Sequence, residues 1–97
     1  MTSAITRVLK ALTNPNRRRV FQLICRHGSR REGVTIERIR RAAGMKQPAV
    51  SHHVARLAEA GLILRRKTGW YVCCAPAPEG LAALRRFSRN PAAFPLK

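Results

Sequence analysis

The stretch from Ala42 to Gly61 constrains the fold most, because it encodes the end of one helix, a sharp bend and a second helix in close succession. Gly44 stops the first helix, Met45 and Lys46 cover the bend, and Pro48 suits the opening turn of the next, where an N–H would be unpaired anyway. Val50, Val54, Leu57 and the closing Gly61 recur at a 4-3-4 spacing and line one face. Gln47, Ser51, His52, Ala55 and Arg56 fall opposite. The solvent side of this helix is short and polar rather than long and charged.

The rest of the chain supplies a scaffold around that unit. Ser3 is placed to cap a first helix over about residues 3–13, with Ile5, Val8, Leu9 and Leu12 as a narrow apolar stripe. Asn14 and Pro15 restart the chain, and Val20, Phe21, Leu23, Ile24 and Cys25 make a strongly apolar second helix ending at Gly28, with Cys25 expected in the core. A basic loop from Ser29 to Gly33 follows, then Val34 as a short strand and Thr35 as cap of a third helix through Ala43. Ile36, Ile39, Ala42 and Ala43 should face inward. Leu62 to Cys74 reads as two β-rich runs around a basic tip containing Gly69. Pro76 and Pro78 end the second run, and Leu81, Leu84 and Phe87 mark a last helix over about residues 78–90 before a loose tail from about residue 91, with Pro91 and Pro95. The expected fold is one domain over residues 1–97, mainly α with a small β-hairpin: a winged helix-turn-helix.

Charge narrows the class of partner. Twenty Lys and Arg face four acids (Glu32, Glu37, Glu59 and Glu79), a formal net charge of +16, which is the electrostatic footprint of a polyanion binder. Nothing supports catalysis: there is no Asp, no carboxylate pair, no Gly-rich phosphate loop and no Cys/His/acid set. There is no apolar run of roughly 18 residues and no cleavable leader pattern, so no membrane partner is expected. Three cysteines, without zinc-type spacing, argue against a disulfide framework.

Leu9 to Leu12 with Asn14 to Arg17, Gln47 to His53, Leu57 to Leu62 and Gly69 to Cys74 together resemble the ArsR/SmtB family of bacterial dimeric repressors. The Val50-Ser51-His52-His53 run with Ala60-Gly61-Leu62 is the most distinctive part. The resemblance implies a cytoplasmic transcription regulator that binds a double-stranded DNA operator as a homodimer, through the second helix of the bend and the hairpin wing. It places Lys46, Gln47, Pro48, Ser51, His52, Arg56, Arg65, Arg66 and Lys67 at DNA, with Arg17, Arg18 and Arg19 as weaker candidates. It also implies a dimer interface on the first and last helices, through Ile5, Val8, Leu9, Leu12, Leu81, Leu84 and Phe87. The residues themselves agree: Gln pairs bidentately with adenine, and the two stripes are more apolar surface than a small winged helix needs for its own core.

Lys46 departs from the Ser that the family often has, and a cation there opposes the helix macrodipole and forfeits a cap, which a DNA phosphate would offset. The family's metal ligands are absent from the third and last helices, so neither a metal nor another cofactor is expected. His52 and His53 point about 100° apart on a helix and do not converge on an ion. Cys73 and Cys74 stand where the family commonly has two tyrosines; size replacement is one reading, and a thiol sensor of arsenite, soft metal or oxidant is the other. A nonspecific nucleic-acid binder or architectural protein is the remaining alternative. The effector is unknown.

Overall fold

Three helices begin where a side chain can take over an unpaired backbone N–H. In the computed structural model, which describes residues 3–29 and 32–94, α1 spans Ala4–Leu12, α2 Pro15–His27 and α3 Ile36–Ala43. Their caps are Ser3, accepting from the Thr6 N–H at 3.3 Å, Asn14, accepting from Arg17 at 3.1 Å, and Thr35, accepting from Arg38 at 3.1 Å. Gly44 then ends α3 in the left-handed conformation at φ +67°, and the N–H groups of Gly44 and Met45 both return to the Arg40 carbonyl. A side chain has room at position 44; the backbone angle is what requires glycine. Helix α4, Gln47–Glu59, starts three residues further on.

The wing is broader than a hairpin. Strands β2 (Ile63–Thr68) and β3 (Tyr71–Pro76) pair antiparallel, and the two-residue β1 (Val34–Thr35) adds to the free edge of β3, giving the order β1-β3-β2. Val34 lies opposite Cys74 and Thr35 opposite Cys73. Helix α5, Pro78–Arg89, then returns across the molecule and packs against α1. Where α5 passes the end of α4, the Gly80 N–H donates to the Gly61 carbonyl at 2.8 Å, and a Cβ at position 80 would stand 2.7 Å from that oxygen and 2.9 Å from Leu62 Cδ2.

One core joins all these elements. Val8, Val20, Ile24, Ile39, Val50, Val54, Leu57, Leu62 and Cys74 are fully or almost fully enclosed, and Val34 and Ile63 close it under the sheet. Four sequence expectations need correction. Val8 is part of this core rather than of an outer face, because α1 lies against α2, α4 and α5 at once and encloses that position. Ala42 is exposed, since α3 turns only Ile39 and Ala43 fully inward. Cys25 is exposed as well: Val20 and Ile24 set the buried line of α2 and the next residue rotates out of it. Finally, the chain after α5 is not loose at once. Residues Pro91–Ala93 make a 3-10 turn that brings Phe94 edge-on to Phe87 with ring centres 5.2 Å apart. Pro95 lies outside the described residues.

Candidate nucleic-acid interface

Helix α4 buries Val50, His53, Val54 and Leu57 and presents its opposite side to solvent. Gln47, Pro48 and His52 are exposed there, with Ser51 half-buried on the flank. Lys46 occupies the N-cap in extended backbone, its carbonyl accepting from Ala49 and Val50, but its side chain makes no capping bond. The helix therefore opens with a cation at its positive end and no side-chain cap, which suits a nearby anion. Arg56 differs from the other candidates. It is held by Glu59 at 2.6 Å and lines a cleft toward α1, away from Gln47 and Ser51.

His53 is buried beneath this face and accepts a hydrogen bond at Nδ1 from Arg17 Nε, 3.4 Å away. Burial, then the Arg17 guanidinium and His52, hold its pKa below the ordinary histidine value, so it is neutral at pH 7 and free to accept. His52 points outward, with its ring tilted 59° to that of His53. Among the described residues no group of three or more His, Cys, Asp or Glu could hold a metal ion. Of the arginines that open α2, Arg17 thus orients His53, and Arg18 closes the α1–α2 turn by donating to the Leu12 carbonyl at 2.9 Å. Arg19 is simply exposed.

The wing register separates its three cations. Directly paired residues share a face of a sheet, so Arg65 and Lys67 stand with Cys74 and Val72, and Arg66 stands on the other side with Cys73. They straddle the ribbon rather than forming one stripe, and all three are exposed. At the tip Trp70 is 97% exposed. Sequence reasoning passed over it, although a tryptophan beside a turn glycine, at the end farthest from any core, is a large ring with nowhere to be buried. The same alternation sends the Cys73 and Cys74 thiols to opposite faces. Cys74 is buried, and desolvation with the nearby Cys73 pushes its pKa up to about 11, partly offset by Arg65. The Cys25 residue is exposed, yet its neighbours desolvate the sulfur enough to push its pKa up as well.

A second surface lies at the far side of the fold. Ile5, Leu9, Ala83, Phe87 and Phe94 line a groove of about 380 Å³ between α1 and α5, and Leu9 remains 41% exposed. Leu12, Leu81 and Leu84 lean mainly on the core beneath. Of the seven interface candidates, Ile5, Leu9 and Phe87 are the ones that reach this groove.

A polar-faced helix after a tight bend, with a cationic three-stranded wing beside it, defines the class: a winged helix-turn-helix protein. A family model described as a helix-turn-helix domain matches residues 12–66. An arsenic resistance transcriptional regulator of Pseudomonas putida is 33% identical over 72 residues, 74% of this chain and 53% of that protein, so the chain spans about half the length of this curated relative. Among solved structures, the homodimeric winged helix-turn-helix DNA-binding domain of a possible ArsR-family transcriptional regulator from Mycobacterium bovis is 29% identical. It has a TM-score of 0.69 over 97% of this chain and 82% of that one. A crystal structure described as a possible transcriptional regulator for arsenical resistance is 30% identical, with a TM-score of 0.71 over 86% of this chain and 81% of that one. The chain belongs to the ArsR family. Its relatives are transcription regulators, not enzymes. Among the described residues, no helix is long and apolar enough to cross a membrane.

Proposed function

We propose that this chain is a repressor that binds an inverted-repeat operator as a homodimer, reading bases with the N-terminal face of α4 and gripping phosphates with the wing. The observation that carries the reading is the exposed, uncharged face made by Gln47, Pro48 and His52, opened by an uncapped cation at Lys46. A surface serving only to attract polyanions would put its charge there. Gln47 can form a bidentate pair with adenine, and Ser51 can donate or accept. Arg65, Arg66 and Lys67 project from both faces of a narrow ribbon, which suits a groove whose walls carry phosphates on either side. The α1–α5 groove supports self-association, as does the homodimer described for the Mycobacterium bovis relative.

Selection of binding sites from a random DNA pool tests this directly. The expected product is a two-fold sequence whose half-site centres lie about 10 base pairs apart or a multiple of that. Gln47→Ala should then relax one base position in each half-site at a cost of about 1–3 kcal/mol, whereas Arg65→Ala should weaken operator and random DNA alike. Equal losses on both DNAs from both variants would favour the nonspecific binder, to which the +16 charge alone would lead. Sedimentation at tens of micromolar chain, on the order of a weak-association Kd, should give twice the chain mass. A monomer at that concentration refutes the dimer.

A further inference from the structure

Between α1 and the last turns of α4 lies an open cleft of about 390 Å³, lined by Arg7, Lys10, Arg17, Arg56 and Glu59 with two alanines at its floor. Three helices contribute four cations and one acid to it; Arg7 has a partner of its own, and the other three cations outnumber the acid by two. Glu59 is already held by Arg56 at 2.6 Å. Among the described residues, the Lys10 ammonium and the Nη groups of Arg17 have no hydrogen-bond or ion-pair partner. Arg17 is nevertheless held in place. Its N–H is capped by Asn14, and its Nε donates to the buried, neutral His53, which leaves the guanidinium's four remaining N–H donors for a ligand. Like charges gathered this way repel one another until a counter-anion joins them.

We infer that this cleft binds a phosphate group, with Arg17 as the fixed fork and Lys10 and Arg56 as the flanking charges. A guanidinium fork matches two phosphate oxygens at once, and a dianion balances the excess of two charges where a single carboxylate would balance half of it. The volume exceeds that of one phosphate, so the group can arrive attached to something larger. Two sources share this chemistry. One is the DNA backbone beyond the site read by α4, on the side of that helix away from Gln47 and Ser51 where Arg56 lines the cleft; this source rests on the DNA-binding reading above. The other is a free phosphorylated small molecule.

The test uses the full chain, with Lys10→Gln and Lys10→Glu as variants of an exposed side chain and Arg17→Lys as a variant that keeps charge but loses the fork. Inorganic pyrophosphate is titrated at constant ionic strength while backbone amide NMR shifts are followed, with acetate as control. Operator and random DNA affinities are measured in parallel across a range of salt. For the DNA source, Lys10→Gln lowers both affinities by the same several-fold factor and reduces the salt slope by about 0.9 per cleft engaged. Lys10→Glu does so more strongly. For the free source, pyrophosphate saturably shifts the amides around Lys10, Arg17 and Arg56, and Arg17→Lys and Lys10→Gln each weaken that binding about tenfold or more. The inference is overturned if pyrophosphate shifts these amides no more than acetate does and Lys10→Gln leaves the salt slope unchanged. If the wild-type chain binds no DNA, the operator reading falls and the pyrophosphate titration alone decides the cleft.

Discussion

Replacing Lys46 by serine should make the protein more stable and a poorer DNA binder. The backbone at Lys46 has φ −76° and ψ 150°, nearly the angles at Thr35, φ −73° and ψ 153°, where a hydroxyl caps α3 with a 3.1 Å bond to the Arg38 N–H. A serine at position 46 therefore finds the N–H of Ala49 in the corresponding place, where it now donates to the residue 46 carbonyl at 3.1 Å and would take the hydroxyl as an additional acceptor. The new cap contributes about 0.5–2 kcal/mol. Removing a cation from the positive end of the helix contributes about 0.3–1 kcal/mol more. A total near 1.5 kcal/mol raises Tm by about 6–12 °C in a domain of this size. If Lys46 meets a phosphate, the same change removes one contact per protomer and lowers the salt slope of operator binding by about 2 for a dimer. Thermal unfolding by circular dichroism and fluorescence anisotropy on labelled operator read the two effects separately. An unchanged or lower Tm refutes the capping argument. A gain in operator affinity alongside a gain in stability refutes the assignment of Lys46 to DNA.

The close approach of α5 to Gly61 predicts that Gly80→Ala destabilises the fold by about 1–3 kcal/mol. Overpacking and a strained hydrogen bond outweigh the roughly 1 kcal/mol of helix propensity that alanine brings; urea unfolding measures this, and a higher midpoint overturns it. His53 has a folded pKa below its ordinary 6.5, so the unfolded chain binds the proton more readily and stability falls as pH drops. The contribution is whole above about pH 6.5 and is lost as pH falls through the lower folded value. A His53→Gln protein should show a smaller loss between pH 7 and 5, and an unaltered pH profile counts against the assignment. A thiol-reactive dye should label Cys25 and Cys73 in the native protein and reach Cys74 only on unfolding, and equal rates at all three would contradict the burial of Cys74. Because the Cys73 and Cys74 side chains diverge, stoichiometric arsenite or zinc should not release the protein from its operator; release that disappears in Cys73→Ser, Cys74→Ser would show otherwise.

The helices and the turn were legible in the sequence because their signals are local. Ser3, Asn14-Pro15, Thr35 and Gly44 each act within one helical turn, and the observed boundaries fall at them. What the sequence did not disclose depends on contacts between distant segments. Val8 and Leu9 look alike in a helical stripe, and only the packing of α1 against three helices buries one and leaves the other at a groove. Val34 reads as a short strand, but its pairing with Cys74, forty residues on, follows from the return path of β3. Arg17, Lys10 and Arg56 are unremarkable members of a basic chain until the fold gathers them around one cleft. The alternating faces of the wing follow from a strand's period of two, which was available in advance, yet the run Arg65-Arg66-Lys67 invites reading as a single stripe.

The two-residue strand β1 makes the protein a caliper. Its Thr35 is bonded into the wing through Cys73 and also caps the first turn of α3, so the wing and the helical pair that carries α4 hang from one peptide segment. The root of the wing is thereby tied to the start of α3, while the tip beyond Cys73 is held by β2 and β3 alone. If α4 and the wing engage DNA as proposed, a duplex meets them at a spacing set at the root of the wing, and must bend where its own grooves do not match. Sequences that bend cheaply at the right step then gain an advantage at positions no side chain reaches.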